Sequence, residues 1–75
     1  MEIVEKIALA MGTNNTPRIA SLLRRGKIEY ATSGSPSCWS DWYTIHGKAE
    51  AERIFAEEER RAGFGYTAVD FRVAE

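Results

Sequence analysis

Cysteine, histidine and proline are scarce in this chain, at one, one and two in 75 residues. A lone cysteine excludes an internal disulfide, and the expected setting is a reducing cytoplasm. One cysteine and one histidine fall short of the four ligands of a structural zinc site. No loop has the acidic spacing of an EF-hand. Gly63-Phe64-Gly65 leads into an expected strand instead of following one, so it is no phosphate-cradling loop. No cofactor is expected. Apolar runs stay far below membrane-spanning length. The N-terminal Met1-Glu2-Ile3-Val4-Glu5-Lys6 carries acids where a signal peptide needs positive charge.

What is present is a globular composition, 44% hydrophobic and 28% charged. The length allows one domain, spanning residues 1–75. A chain this short buries roughly 60% of its unfolded surface, which leaves little material for the walls of a deep substrate cavity. The net charge of −1 hides a split. Residues 1–31 carry five bases against three acids, a net of +2, and residues 32–75 carry five against eight, a net of −3. A polarised chain can offer a basic face to one partner and an acidic face to another.

The first segment fits two patterns. Ile3, Val4, Ile7, Ala8 and Met11 form a helical stripe closed by Gly12, and the helix-forming residues favour that reading. Ile3, Ile7, Leu9 and Met11 also share one side of a strand. Turn residues 12–15 then lead to Thr16 as N-cap, Pro17 at the first helical position, and a helix buried through Ile19, Ala20, Leu22 and Leu23 up to Gly26. Residues 27–32 and 39–45 alternate like strands and form a hairpin around a loop at residues 33–37. Residues 48–62 are the strongest helix, with Ala51, Ile54, Phe55 and Ala62 as its apolar stripe. Its expected i,i+4 pairs are Lys48–Glu52, Arg53–Glu57 and Glu57–Arg61. A last strand covers residues 66–74. The fold class is α+β, a small antiparallel sheet with helices on one face. Its order is α-α-β-β-α-β, or the ferredoxin-like β-α-β-β-α-β if the first segment is a strand.

Both tryptophans, the cysteine and the histidine fall between Cys38 and His46. Ser-Cys-Trp at residues 37–39 matches the core of a papain-like protease signature, whose histidine must lie far downstream. On an extended strand Cys38 and His46 stand roughly 26 Å apart, too far for a nucleophile–base pair. No enzymatic activity is expected. Glu57, Glu58 and Glu59 splay to different sides of a helix and read as a solvated face, or, with Glu50 and Glu52, as an acidic surface that docks on a basic groove.

Two binding readings compete. Tyr30, Trp39, Trp42 and Tyr43 beside Arg18, Arg24, Arg25 and Lys27 are ingredients for stacking bases and contacting phosphates. Against that, the chain is slightly acidic overall, and no third helix supports a helix-turn-helix in residues 2–25. Trp, Tyr and Arg are equally the residues of protein–protein hot spots. Strand parity assigns Trp39, Asp41, Tyr43 and Ile45 to one side and Cys38, Ser40, Trp42, Thr44 and His46 to the other. Tyr43 and Ile45 are expected inward and Trp42 more exposed. The candidate binding residues are Trp39, Trp42, Asp41, Tyr30, Arg24, Arg25, Lys27, Glu57 and Glu58.

In architecture across its whole length the chain resembles the very small accessory proteins of phages and mobile elements, the anti-CRISPR proteins among them. The likeness lies in the compact sheet, the acidic helix of residues 48–62 leading into a final strand, and the lack of a catalytic set. It implies a non-enzymatic inhibitor, in the host cytoplasm, that docks on a subunit of a type I CRISPR surveillance complex and blocks target-DNA binding. Glu50, Glu52 and Glu57–Glu59 would then compete for DNA-binding cations, or Arg24, Arg25 and Lys27 would grip an acidic subunit. The alternative is a small single-strand nucleic-acid-binding module.

Overall fold

The computed structural model describes residues 2–35, 38–62 and 68–74. Three helices and a small antiparallel sheet give an α+β fold of order α-α-β-β-α-β with the fourth element in two pieces. The elements are α1 (Ile3–Ala10), α2 (Thr16–Arg24), β1 (Ile28–Ser35), β2 (Cys38–Trp39), β3 (Tyr43–Ile45), α3 (Lys48–Ala62) and β4 (Ala68–Val73).

The ambiguous first segment is helical, so the ferredoxin-like order does not form. Ile3, Ile7 and Ala8 are buried while Leu9 is 68% exposed, a spacing that only a helix produces. The backbone N–H of Glu2 donates to Glu5 Oε1 at 3.4 Å at its start, and Gly12 at φ +73 ends it. At α2 the cap is Asn15 and not Thr16, because Asn15 Oδ1 accepts the Arg18 N–H at 3.3 Å. Ile19 and Leu23 are its buried pair.

Strand β1 lies at the centre. It pairs with β4 along Ile28–Ser33 on one side, and on the other with β3 at Ile28–Tyr30 and β2 at Ser33–Ser35. Residues 33–35, expected in a loop, therefore continue the strand. Ser33 has Trp39 opposite it on one side and Ala68 on the other, and two ladders outweigh the turn preference of Ser and Gly. Pro36 and Ser37 lie outside the described residues, as do Tyr66 and Thr67.

Opposed residues of an antiparallel pair point to the same side. Ile45–Ile28–Val73 and Tyr43–Tyr30–Phe71 therefore share one face, hereafter the core face. Ile28, Ile45 and Phe71 meet Ile3, Ile7 and Ala8 of α1, Ile19 and Leu23 of α2, and Ala51 and Ile54 of α3 in one buried cluster. Phe55 stacks on Phe71 at 5.4 Å between centroids. Each fully buried Ile contributes about 2–3 kcal/mol of transfer free energy. The apolar stripe of α3 continues at Glu58, seven residues after Ala51. That places Glu58 at 9% exposure, so it does not belong to the expected solvated acidic face.

Candidate functional site: a tryptophan-bearing sheet face

The return half of the hairpin is not one continuous strand. From Tyr30↔Tyr43 to Ser33↔Trp39, β1 advances two intervening residues while the returning chain spends three, residues 40–42. One extra residue on one strand is a β-bulge. Its consequence is a change of side. In a regular strand Trp39 shares a face with Tyr43 and Ile45. Past the bulge it stands opposite Ser33, on the face that alternates away from the core.

Ser40 holds the bulge in place. Its N–H donates to Thr32 O at 2.8 Å, and its hydroxyl accepts the Thr32 N–H at 3.0 Å while donating to Asp41 O at 2.8 Å. The hydroxyl thus replaces the ladder carbonyl that the extra residue carries away. No half-buried backbone donor is left unmet at Thr32.

Trp42 is fixed from across the sheet. The Arg72 guanidinium lies over its ring at 4.2 Å, and Arg72 Nε donates to Glu29 Oε1 at 2.7 Å. Glu29, Arg72 and Thr44 occupy one row of the register, on the side opposite Ile28 and Phe71. The outer face therefore carries both tryptophans, the Glu29–Arg72 pair, Asp70 opposite Ala31, and Ser33. None of these residues belongs to the core cluster, although Ser33 and Ala31 at the centre of this face are only 1% and 2% exposed.

Side-chain exposure reverses the expected ranking. Tyr43 was expected inward and is 52% exposed, Trp39 is 50% exposed, and Trp42 is only half-exposed. Tyr43 has the parity of the core, but β3 is an edge strand. Its ring leans on Tyr30 at 5.9 Å and tilts 43° instead of entering the cluster. Asp41 is exposed in the bulge.

The other candidates lie elsewhere. Arg24, Arg25 and Lys27 are exposed at the end of α2, a helix that buries Ile19 and Leu23 against the core side. They stand across the sheet from the tryptophans. Glu57 pairs with Arg53 at 3.6 Å, as the i,i+4 spacing suggests. Arg61 pairs with Glu58 at 3.0 Å and Lys48 with Glu2 at 3.5 Å, in place of the expected Glu57 and Glu52. Cys38 is level with Ser35 and His46 follows Ile45, level with Ile28. Seven strand steps, about 23 Å, separate those levels. Among the described residues no three His, Cys, Asp or Glu side chains converge on a metal position.

The chain matches no family model, no curated protein and no solved structure.

Sequence reasoning missed Ser40, Glu29 and Arg72. The partnership of Glu29 with Arg72 spans 43 residues and appears only when the β1–β4 register is known. Chemically, the outer face offers broad aromatic area, one guanidinium held by a carboxylate and a ring, and further acids in Asp70 and Asp41. The balance of charge is negative, which repels phosphate.

Proposed function

We propose that this protein is a non-enzymatic interaction protein that docks on a protein partner through the outer face of its sheet. The observation that carries the reading is the bulge at residues 40–42, which turns Trp39 out of the core face and onto the face where Arg72 lies over Trp42. A half-exposed tryptophan on the same face as a second tryptophan stacked with an arginine has the composition of an interface hot spot. The competing reading, single-strand stacking with phosphate contacts, requires the aromatic and basic groups on one surface. Here Arg18, Arg24, Arg25 and Lys27 lie on the opposite side of the sheet from both tryptophans, and acids accompany the tryptophans; of the four aromatic candidates only Tyr43, on the edge strand, is exposed on the helix side. The resemblance to anti-CRISPR proteins supports a narrower proposal: a partner that is a subunit of a type I surveillance complex, with target-DNA binding blocked.

The test is a pair of measurements on Trp39→Ala. Expected are an unfolding temperature close to that of the parent, and loss of both partner capture from host extract and inhibition of type I plasmid interference. A folded Trp39→Ala protein that still captures its partner contradicts docking through this face. Retained capture without any effect of the parent protein on interference contradicts the narrower proposal alone.

A further inference from the structure

The cations of the chain divide sharply by whether they are paired. Lys6, Lys48, Arg53, Arg61 and Arg72 each meet a carboxylate. Arg18, Arg24, Arg25, Lys27 and, in α3, Arg60 meet none among the described residues, and all five are exposed. No acid occurs between Glu5 and Glu29. The basic stretch is therefore free of internal neutralisation, unlike α3, where Arg53 and Arg61 pair with Glu57 and Glu58.

Two of the four cations of this stretch share one side of α2. Arg18 and Arg25 are seven residues apart, which brings them to the same side of α2 with about 10.5 Å of rise between them. Ser21 lies between them on that side. At the end of the helix Gly26, at φ +68, turns the chain. The Gly26 N–H then donates to Leu23 O at 3.2 Å and the Lys27 N–H to Leu22 O at 2.9 Å. This double closure of the helix end keeps the Lys27 backbone against the last turn, beside Arg24 and Arg25. Of the acids of α3, Glu50 comes nearest the patch, its carboxylate accepting the His46 N–H at 3.3 Å while His46 lies beside Gly26; α1 packs against both α2 and α3. The acids that lie beyond α1 stand about a helix diameter away, about 10 Å, which matches the Debye length at 0.1 M salt.

We propose that this edge of α2 is a second binding site, distinct from the tryptophan face, that takes the phosphate backbone of duplex DNA. Charge complementarity selects a polyanion. The choice of duplex over single strand rests on the patch containing no aromatic side chain: its members are Arg18, Ser21, Arg24, Arg25 and Lys27, while both tryptophans lie across the sheet. A single-strand site needs stacking platforms, and a duplex backbone site does not.

Fluorescence anisotropy of a labelled duplex of about 20 base pairs, two helical turns, tests the proposal at a series of salt concentrations. Four phosphate contacts give a slope of about −3.6 in log K against log salt, or a loss of about 100-fold from 50 to 200 mM. Arg24→Ala/Arg25→Ala/Lys27→Ala leaves one contact, and its slope is expected to fall to about −1 with an unchanged unfolding temperature. Trp39→Ala is expected to bind the duplex like the parent, which separates this site from the docking face. Four outcomes overturn the proposal: no binding at 50 mM salt with about 100 µM protein; equal binding by the triple variant; an oligo-dT strand of the same length bound as tightly as the duplex; or polyglutamate displacing the duplex as well as unlabelled DNA does, which would assign the patch to an acidic protein.

Discussion

The two faces of the sheet are made by alternate residues of the same strands, yet they use different physics. On the core face Ile28, Ile45 and Phe71 lose nearly all contact with water and meet residues from all three helices. On the outer face Glu29, Arg72 and Trp42 form one half-exposed chain of contacts, which organises a surface more than it stabilises a fold. The lesson is that packing against the helices fixes the first face, whereas register decides which side chains the second presents. One extra residue on a return strand leaves Ile45 in the core and moves Trp39 from one face to the other.

This contrast predicts a graded series of mutational effects. The largest is expected on the core face. Ile28→Ala or Ile45→Ala removes a fully buried side chain and costs about 3 kcal/mol. In a domain of this size that lowers the unfolding temperature by roughly 15 °C or more, measured by circular dichroism. A loss below about 1 kcal/mol would break the distinction between the faces.

Ser40→Ala comes next. It strips the acceptor from the Thr32 N–H, at an expected cost of about 1–2 kcal/mol. The sharper readout is hydrogen exchange, in which the Thr32 amide should lose protection while the amides of β1 beside β4 keep theirs. Unchanged protection at Thr32 would mean that the hydroxyl does not hold the bulge.

A smaller effect is expected at the stacked pair on the outer face. Arg72→Ala and Trp42→Ala should each cost about 1 kcal/mol or less. A double-mutant cycle should return a coupling of about 0.5–1 kcal/mol. Additivity would show that the guanidinium and the ring do not support each other.

Trp39→Ala should change stability least, within about 0.5 kcal/mol, although tryptophan is the largest side chain in the protein. Its effect belongs to partner binding. A large loss of stability would place Trp39 in a core and remove it from the docking face.

Much of the fold is legible in the residues, for identifiable reasons. The stripes at Ile19/Leu23 and Ala51/Ile54 are unambiguous because a 3.6-residue period has one solution there. Residues 3–11 satisfied both periods, and only the exposure of Leu9 separates them. Glu58 shows a different limit. Its position on the α3 stripe follows from counting seven beyond Ala51, but a carboxylate does not announce burial, and its Arg61 contact is a side-chain event. At the candidate site, residue type pointed to the region between Cys38 and His46 and misjudged its geometry. Alternation assumes a constant register, and a bulge made of Ser, Asp and Trp carries no glycine or proline to mark it. Trp42 and Tyr43 keep the expected parity, and their exposure differs for another reason: Arg72 covers Trp42, and Tyr43 stands at the margin of the sheet on the edge strand β3.

The side on which Trp39 stands is the central claim, and nuclear Overhauser contacts of its indole ring test it most directly. With the bulge in place, the ring should show contacts to the Ser33 β-protons and the Ala31 methyl group on the outer face. Contacts instead to the Thr32 and Val69 methyl groups would mean a regular return strand, with Trp39 on the core face, and would contradict the docking surface built on it.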